Sequence, residues 1–347
     1  MNLINPISLD TPKLVSSRTA KEKLVDAKIE NGKKLFKKGF ERAAEAEFRS
    51  VLMLDPQNTE AMLQLGKIHL EKGHHEKAAE LAIKAYTINP DLPSTNSAMG
   101  AICLMKGDAL SAEKFLKKAI DLGTDDYTAY GNLGTLYFSV ALQVESKADR
   151  QKLIRLATLL YFKAYEIEPE DDRNNANIAA ALQAVFKETD PENPLPEYFI
   201  RRAITLRPSN EVNWINLSKL TGQTVKELTA IYRVSKAEVR EARFLKSIRS
   251  YKLAAIRYEQ SLKFYGMFPE NQLEYAELCL LAYRKTNDTD FINSAIGALE
   301  KNVVILNELA SLEKDCIDSQ IRTLLDKADK LRRQLKKIVD FKSTIPI

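Results

Sequence analysis

Two consecutive stretches of this chain repeat one pattern at an interval of 34 residues. Gly32, Leu35, Gly39, Ala44, Phe48, Val51 and Pro56 return as Gly66, His69, Gly73, Ala78, Ala82, Ala85 and Pro90 at the same offsets. Self-similarity at such a period restricts a chain to stacked copies of one supersecondary unit, because a single copy cannot bury its apolar face alone. The residue types say which unit. Gly or Ala at the crossing positions removes bulk where two antiparallel helices meet, although glycine costs about 1 kcal/mol in a helix interior. Gly39, Gly73 and Gly107 fall between the paired helices, where a positive φ is cheap only for glycine. Pro56 and Pro90 stop the second helix, since proline has no amide to donate and clashes with the preceding turn. Each copy is therefore a helical hairpin.

The pattern continues with changes. A third copy keeps Gly100, Gly107, Ala112, Leu116 and Ala119 and ends in Gly123-Thr124 rather than proline. A fourth begins with Tyr130, Leu133, Gly134 and Tyr137 and resumes at Ala157, Tyr161, Ala164 and Pro169 after about eleven extra residues, roughly three helical turns, which keeps the apolar stripes in phase. A protruding hairpin tip is expected over Gln143 to Arg150. The fifth copy carries Ala176, Asn177, Ala180, Ile200, Ala203 and Pro208, interrupted by the proline-rich loop Asp190 to Pro196. A sixth first helix, Asn210 to Leu220, carries Trp214 and closes the array.

These residues resemble the tetratricopeptide repeat (TPR) family. The resemblance implies an all-α chain, a right-handed α-solenoid of hairpins over residues 21–220; residues 1–20, rich in Ser, Thr and Pro near their start, read as a disordered lead-in. The resemblance also implies a non-catalytic adaptor whose concave groove, lined by the first helix of each hairpin, binds an extended peptide or helix of a partner protein. The groove contacts expected are Ser97, Thr128, Asn132, Thr135, Asn174, Asn175, Asn210, Asn213 and Trp214. Asparagine offers two donors and an acceptor, so a row of them pairs with peptide amides whatever the side chains, and Trp214 would be an aromatic anchor. Relatives that clamp acidic chaperone tails use Lys, Asn and Arg across three repeats. The corresponding residues here are Ile29, Lys33, Gln64, Ser94 and Ala98, of which only Lys33 is of the right type, and that reading is rejected.

Beyond Thr221 the period is lost to view, and residues 221–347 read as a separate C-terminal helical bundle with coiled-coil-like seams. A short helix, Val225 to Val234, precedes a long one from Lys236 to Gly266, in which Phe244, Ile248, Tyr251, Ala255, Tyr258, Leu262 and Tyr265 follow four-three spacing. A helix over Glu270 to Lys285 comes next, then one from Asp290 to about Phe341 with a register slip near Glu313. An antiparallel three-helix module is the simplest packing, with a homodimer through the last helix as its rival. Thr224 to Val239 resembles a helix-turn-helix, with Lys236, Arg240 and Arg243 as anion contacts. The alternative function is accordingly a nucleic-acid-associated regulator acting through residues 224–257.

Composition narrows the rest. The net charge of +5 arises from Glu211 onward, where 23 Lys and Arg face 18 Asp and Glu; before it each class numbers 29. Cys103, Cys279 and Cys316 are scattered, as in a reducing compartment, and a cytoplasmic location is expected. The first seventeen residues lack a signal-peptide core, and no apolar run approaches the ~20 residues of a membrane span. His69, His74 and His75 have no metal-ligand spacing, and no phosphate loop or nucleophile elbow occurs. No enzyme, cofactor or metal is expected.

Overall fold

The computed structural model describes residues 19–123, 126–311 and 319–343, and all secondary structure within them is α-helical. Most of the expected lead-in, and the slip expected near Glu313, lie outside the described residues. The chain divides into two units, Met1–Gly123 and Thr124–Ile347.

The first unit holds three hairpins: α1 (Ala20–Lys37) with α2 (Glu41–Leu54), α3 (Thr59–Glu71) with α4 (His75–Ile88), and α5 (Pro93–Met105) with α6 (Ala109–Asp121). Thr19 opens α1 with a capping box: its hydroxyl accepts from the Glu22 amide while the Glu22 carboxylate accepts from the Thr19 amide. The turns between paired helices share one construction. Gly39 has φ +81°, its N–H donates to Phe36 O, and the Phe40 N–H donates to Leu35 O. Gly73 with His74 and Gly107 with Asp108 repeat both bonds, so orphan carbonyls at each helix end are satisfied the same way. Small residues at the crossings are a steric demand: a Cβ on Gly32 would come within 2.6 Å of Phe48 Cε1. Val25, Ala44, Phe48, Val51, Ala61, Leu65 and Ile68 form the core of the first two hairpins.

The second unit begins with α7 (Tyr127–Ala141) and α8 (Lys147–Ile167), followed by α9 (Asp172–Phe186), α10 (Leu195–Leu206) and α11 (Glu211–Thr221). The inserted residues lengthen α8 more than α7. The expected tip over 143–150 therefore shrinks to Leu142–Ser146, because the Ser146 hydroxyl caps α8 and the Arg150 guanidinium donates back to Val144 O.

The period does not end at Thr221. It continues through α12 (Val225–Ser247) and α13 (Tyr251–Tyr265), where Ala242, Arg249, Ala254, Tyr258, Ser261 and Gly266 stand at the offsets of Gly32, Gly39, Ala44, Phe48, Val51 and Pro56. Arg249 takes φ +59°, and the N–H groups of Arg249 and Ser250 donate to Lys246 O and Leu245 O, reproducing the glycine turn. The expected unbroken helix from Lys236 to Gly266 is thus two helices. Its seam is not a seam: Phe244 and Ile248 are 63% and 57% exposed while Tyr258 is fully buried. A left-handed residue with a side chain costs about 1 kcal/mol or more, so Arg249→Gly should raise stability by up to about 1 kcal/mol, less the chain entropy that glycine adds to the unfolded state. Urea titration of both forms checks it; an unchanged or lower midpoint would contradict the strain assigned to Arg249.

One hydrogen bond recurs where the first helix of a hairpin begins. Asn96 Nδ2 donates to Pro90 O, Asn175 Nδ2 to Pro169 O, Trp214 Nε1 to Pro208 O and Gln272 Nε2 to Gly266 O, each time six residues back. It satisfies a carbonyl at the end of the preceding helix and sets the angle at which the next one starts.

The chain continues with α14 (Pro269–Thr286), α15 (Asp290–Ser311) and α16 (Ser319–Ser343), the last two lying within the helix expected from Asp290 onward, with 312–318 outside the described residues. Two cores organise this unit. One joins Tyr161, Phe199, Trp214, Tyr232, Phe264 and Leu309, so packing passes without a break from α8 through α13 to α15. The other joins Ala242, Tyr258, Leu278, Leu306 and Leu335, and includes Ala328 and Leu331 of α16. Arg201, on α10, crosses between helices: it donates to Glu197 and to Phe264 O, with its guanidinium 4.8 Å from the Phe264 ring centre.

Candidate functional site

The first helices α7, α9 and α11 present the expected contacts in three different roles. Two residues of α7 are on an accessible face. Asn132 is half-buried and makes no hydrogen bond among the described residues, and Thr135 Oγ1 accepts from Tyr161 Oη at 3.3 Å and from Asn177 Nδ2 at 3.4 Å. Thr128 and Asn210 belong to helix starts. The Thr128 hydroxyl donates to Asp126 Oδ1; the Asn210 side chain caps α11 and also donates to Asp172 Oδ2 at 3.3 Å. Burial pushes the Asp172 carboxyl upward, against the Asn210 donor and the Arg207 guanidinium 3.9 Å away.

The remaining contacts are interior. Ser97, Asn174, Asn175, Asn213 and Trp214 are all buried. Asn174 Nδ2 donates to Tyr161 O, and Asn175 spends both amide hydrogens on Pro169 O and Asp171 O. Trp214 packs against Tyr232 and Phe264 at ring separations of 5.4 and 6.0 Å. Asn174, Asn175 and Trp214 thus spend their N–H groups on helix ends and interhelical contacts.

For Asn174, Asn175, Asn213 and Trp214 the reason is a shift of two positions; Ser97, correctly counted, is buried all the same. Counted from the terminal prolines as in the third repeat, where Ser94 stands four residues after Pro90, the accessible face of α9 is Arg173, Ala176, Asn177 and Ala180. That of α11 is Val212, Ile215, Asn216 and Lys219. All eight are exposed or half-buried. A two-residue slip on a helix turns a side chain by about 200°, which exchanges face for core. The corrected count puts Asn132, Asn177 and Asn216 at one equivalent position on three successive first helices. Sequence reasoning missed Asn177 and Asn216 as contacts, and the distance from Pro169 and Pro208 was the signal that could have found them.

Tyr161, which donates to Thr135, has its phenol pushed up to about 12 by burial and stays neutral. Val212 and Ile215 add exposed apolar surface beside Asn216.

The helix-turn-helix expected over Thr224 to Val239 is absent: α12 runs through Arg233 without a turn, since that position holds a good helix former where a breaker would be needed. Arg243 pairs with Glu274 at 3.1 Å, Lys236 Nζ lies 5.6 Å from the Tyr232 ring centre, and Arg240 is exposed. Among the described residues no group of His, Cys, Asp and Glu could hold a metal ion, and no helix is long and apolar enough to cross a membrane.

Residues 59–92, which span α3 and α4, match the family model described as tetratricopeptide repeat. The same glycine turn, crossing residues and helix-start bond recur in the neighbouring hairpins. The chain carries a tetratricopeptide repeat. No curated protein matches it. Solved structures similar to this tetratricopeptide-repeat chain include a thermophilic TPR protein of Thermus thermophilus, 17% identical, with a TM-score of 0.40 over 64% of this chain and 99% of that one. A TPR protein with an unusual peptide-binding site, YrrB, is 16% identical, with a TM-score of 0.31 over 56% and 96%. An O-GlcNAc transferase mutant of Thermobaculum terrenum is 22% identical, with a TM-score of 0.34 over 43% and 27%.

Proposed function

We propose that the chain is a non-catalytic protein-interaction scaffold that holds an extended peptide across α7, α9 and α11. The observation that carries this reading is the asparagine at one equivalent, accessible position of three successive first helices: Asn132, Asn177 and Asn216. Each can donate to a peptide carbonyl and accept from a peptide amide, while Val212 and Ile215 receive an apolar side chain. The tetratricopeptide match supports a protein partner. In the same reading the protein works in the cytoplasm, and residues 221–347 serve a second partner or a second copy of the chain.

Substituting Asn132, Asn177 and Asn216 together by alanine should leave the far-UV circular dichroism intact. At about 1 kcal/mol for each lost hydrogen bond, partner affinity should fall by tens-fold or more. Quantitative mass spectrometry of what co-purifies with each form reads the outcome. An identical protein inventory from both forms would remove this face from the function. Asn175→Ala is the contrasting variant, expected to lower stability.

A further inference from the structure

In three described hairpins that follow another within their own unit, two positions of the first helix are covered by the hairpin before it. They are Ala61 and Ile68 in α3, Thr95 and Ile102 in α5, and Asn174 and Ala181 in α9, all buried. The equivalent residues of α12 are Ala237 and Phe244, and both are exposed, Phe244 at 63%. The cause lies in the continuity of α12. Its N-terminal turns pack Leu228 and Tyr232 against Trp214, and it then runs straight into the first helix of the next hairpin. A helix cannot fold back over its own continuation, so the leading face stays bare.

A face uncovered in the working protein should be polar. That of α1, which has no hairpin ahead of it among the described residues, is so: Lys23, Glu30, Lys34 and Lys38, all exposed, stand at the offsets of Arg233, Arg240, Phe244 and Ile248. On α12 the stripe instead carries Phe244 and Ile248, with Arg233 and Arg240 along it, both exposed and without an ion-pair partner among the described residues. The acidic residue within the stripe, Glu241, lies 3.3 Å from Arg257, which also pairs with Glu238 at 3.4 Å. Large apolar groups flanked by free guanidinium groups match a helix with an apolar stripe and carboxylates beside it, and they do not match phosphates alone.

We propose that the Arg233–Ile248 face of α12 docks an acidic amphipathic helix of a partner protein, which takes the place of the missing hairpin. This surface is separate from the asparagine face. The test uses the full chain as bait against a displayed library of helical peptides about five turns long, with Leu fixed on one stripe and the flanking positions randomised among Glu, Lys and Ser. Wild type should enrich Glu at the flanks. Phe244→Ala/Ile248→Ala, two exposed positions whose loss leaves the fold intact by circular dichroism, should weaken the enriched peptides by about tenfold or more. Arg233→Glu/Arg240→Glu should turn the preference to Lys. No enrichment, no charge bias, or enrichment that survives Phe244→Ala/Ile248→Ala overturns the proposal. So does enrichment lost only when Asn132, Asn177 and Asn216 are replaced, which would assign the peptides to the other face. Sedimentation equilibrium showing a dimer that this double variant dissociates also overturns it, since the occupant would then be a second copy.

Discussion

Trp214→Ala should destabilise the 124–347 unit by about 3–5 kcal/mol, the range for truncating a large aromatic in a packed core. Trp214 is 6% exposed and touches Tyr232 of α12 and Phe264 of α13, so its removal opens a cavity where three helices meet. Collapse into that cavity is restricted, because Phe264 is also held beneath the Arg201 guanidinium and Tyr232 packs against Phe264 at 4.9 Å. The bond from Nε1 to Pro208 O at 2.8 Å goes as well, which frees the start of α11. As Trp214 is the single tryptophan of the chain, unfolding of the variant must be followed by far-UV circular dichroism in urea. In the wild type its buried indole should emit at short wavelength, and the emission should not move when a peptide occupies the asparagine face. A loss below about 1 kcal/mol, or a peptide-induced spectral shift, would return Trp214 to the role of an exposed anchor.

Much of the fold was legible because its rules are local. Glycine at a left-handed turn, a small residue at a helix crossing and proline after a second helix each have one steric reading, and their spacing fixed the hairpins through Pro208. The hairpin of α12 and α13 escaped because Arg249 holds the turn that glycine marks elsewhere. The backbone conformation persists while the residue that advertises it is gone. Ala242, Ala254 and Tyr258 kept their offsets, yet Tyr258 also belongs to the four-three run from Phe244 to Tyr265, which crosses the turn at Arg249 unbroken, and that run hid the repeat.

The candidate site was less legible for a different reason. Asparagine does three jobs in this chain: it caps helices, as Asn58 and Asn210 do; it locks a helix start to a preceding carbonyl, as Asn96 and Asn175 do; and it faces outward, as Asn132 and Asn216 do. The chemistry is the same in each case. Only the exact helical phase distinguishes them, and repeats five and six shift that phase by two residues relative to a count begun at their capping residues, Asp171 and Asn210.

Leu116→Ala should cost about 2–5 kcal/mol, and Gly100→Ala about 1–3 kcal/mol by the opposite mechanism. Leu116 is fully buried in the third hairpin and lies directly over Gly100, where an added Cβ would fall 2.5 Å from Leu116 Cγ. Alanine is the better helix former by about 1 kcal/mol, so a net loss at Gly100 would show that the crossing of α5 and α6 outweighs propensity. Leu116 Cγ is the branch point of a side chain enclosed on all sides, so it cannot swing away as a flexible tip would. The two changes should therefore not add. In Gly100→Ala/Leu116→Ala the new methyl enters the space that the leucine left, and the double variant should be more stable than the sum of the singles predicts by about 1–2 kcal/mol. Urea titrations of the four forms close the cycle. Additive losses would mean that the helices separate without regard to Leu116, and that glycine at the crossing answers some demand other than the approach of this side chain.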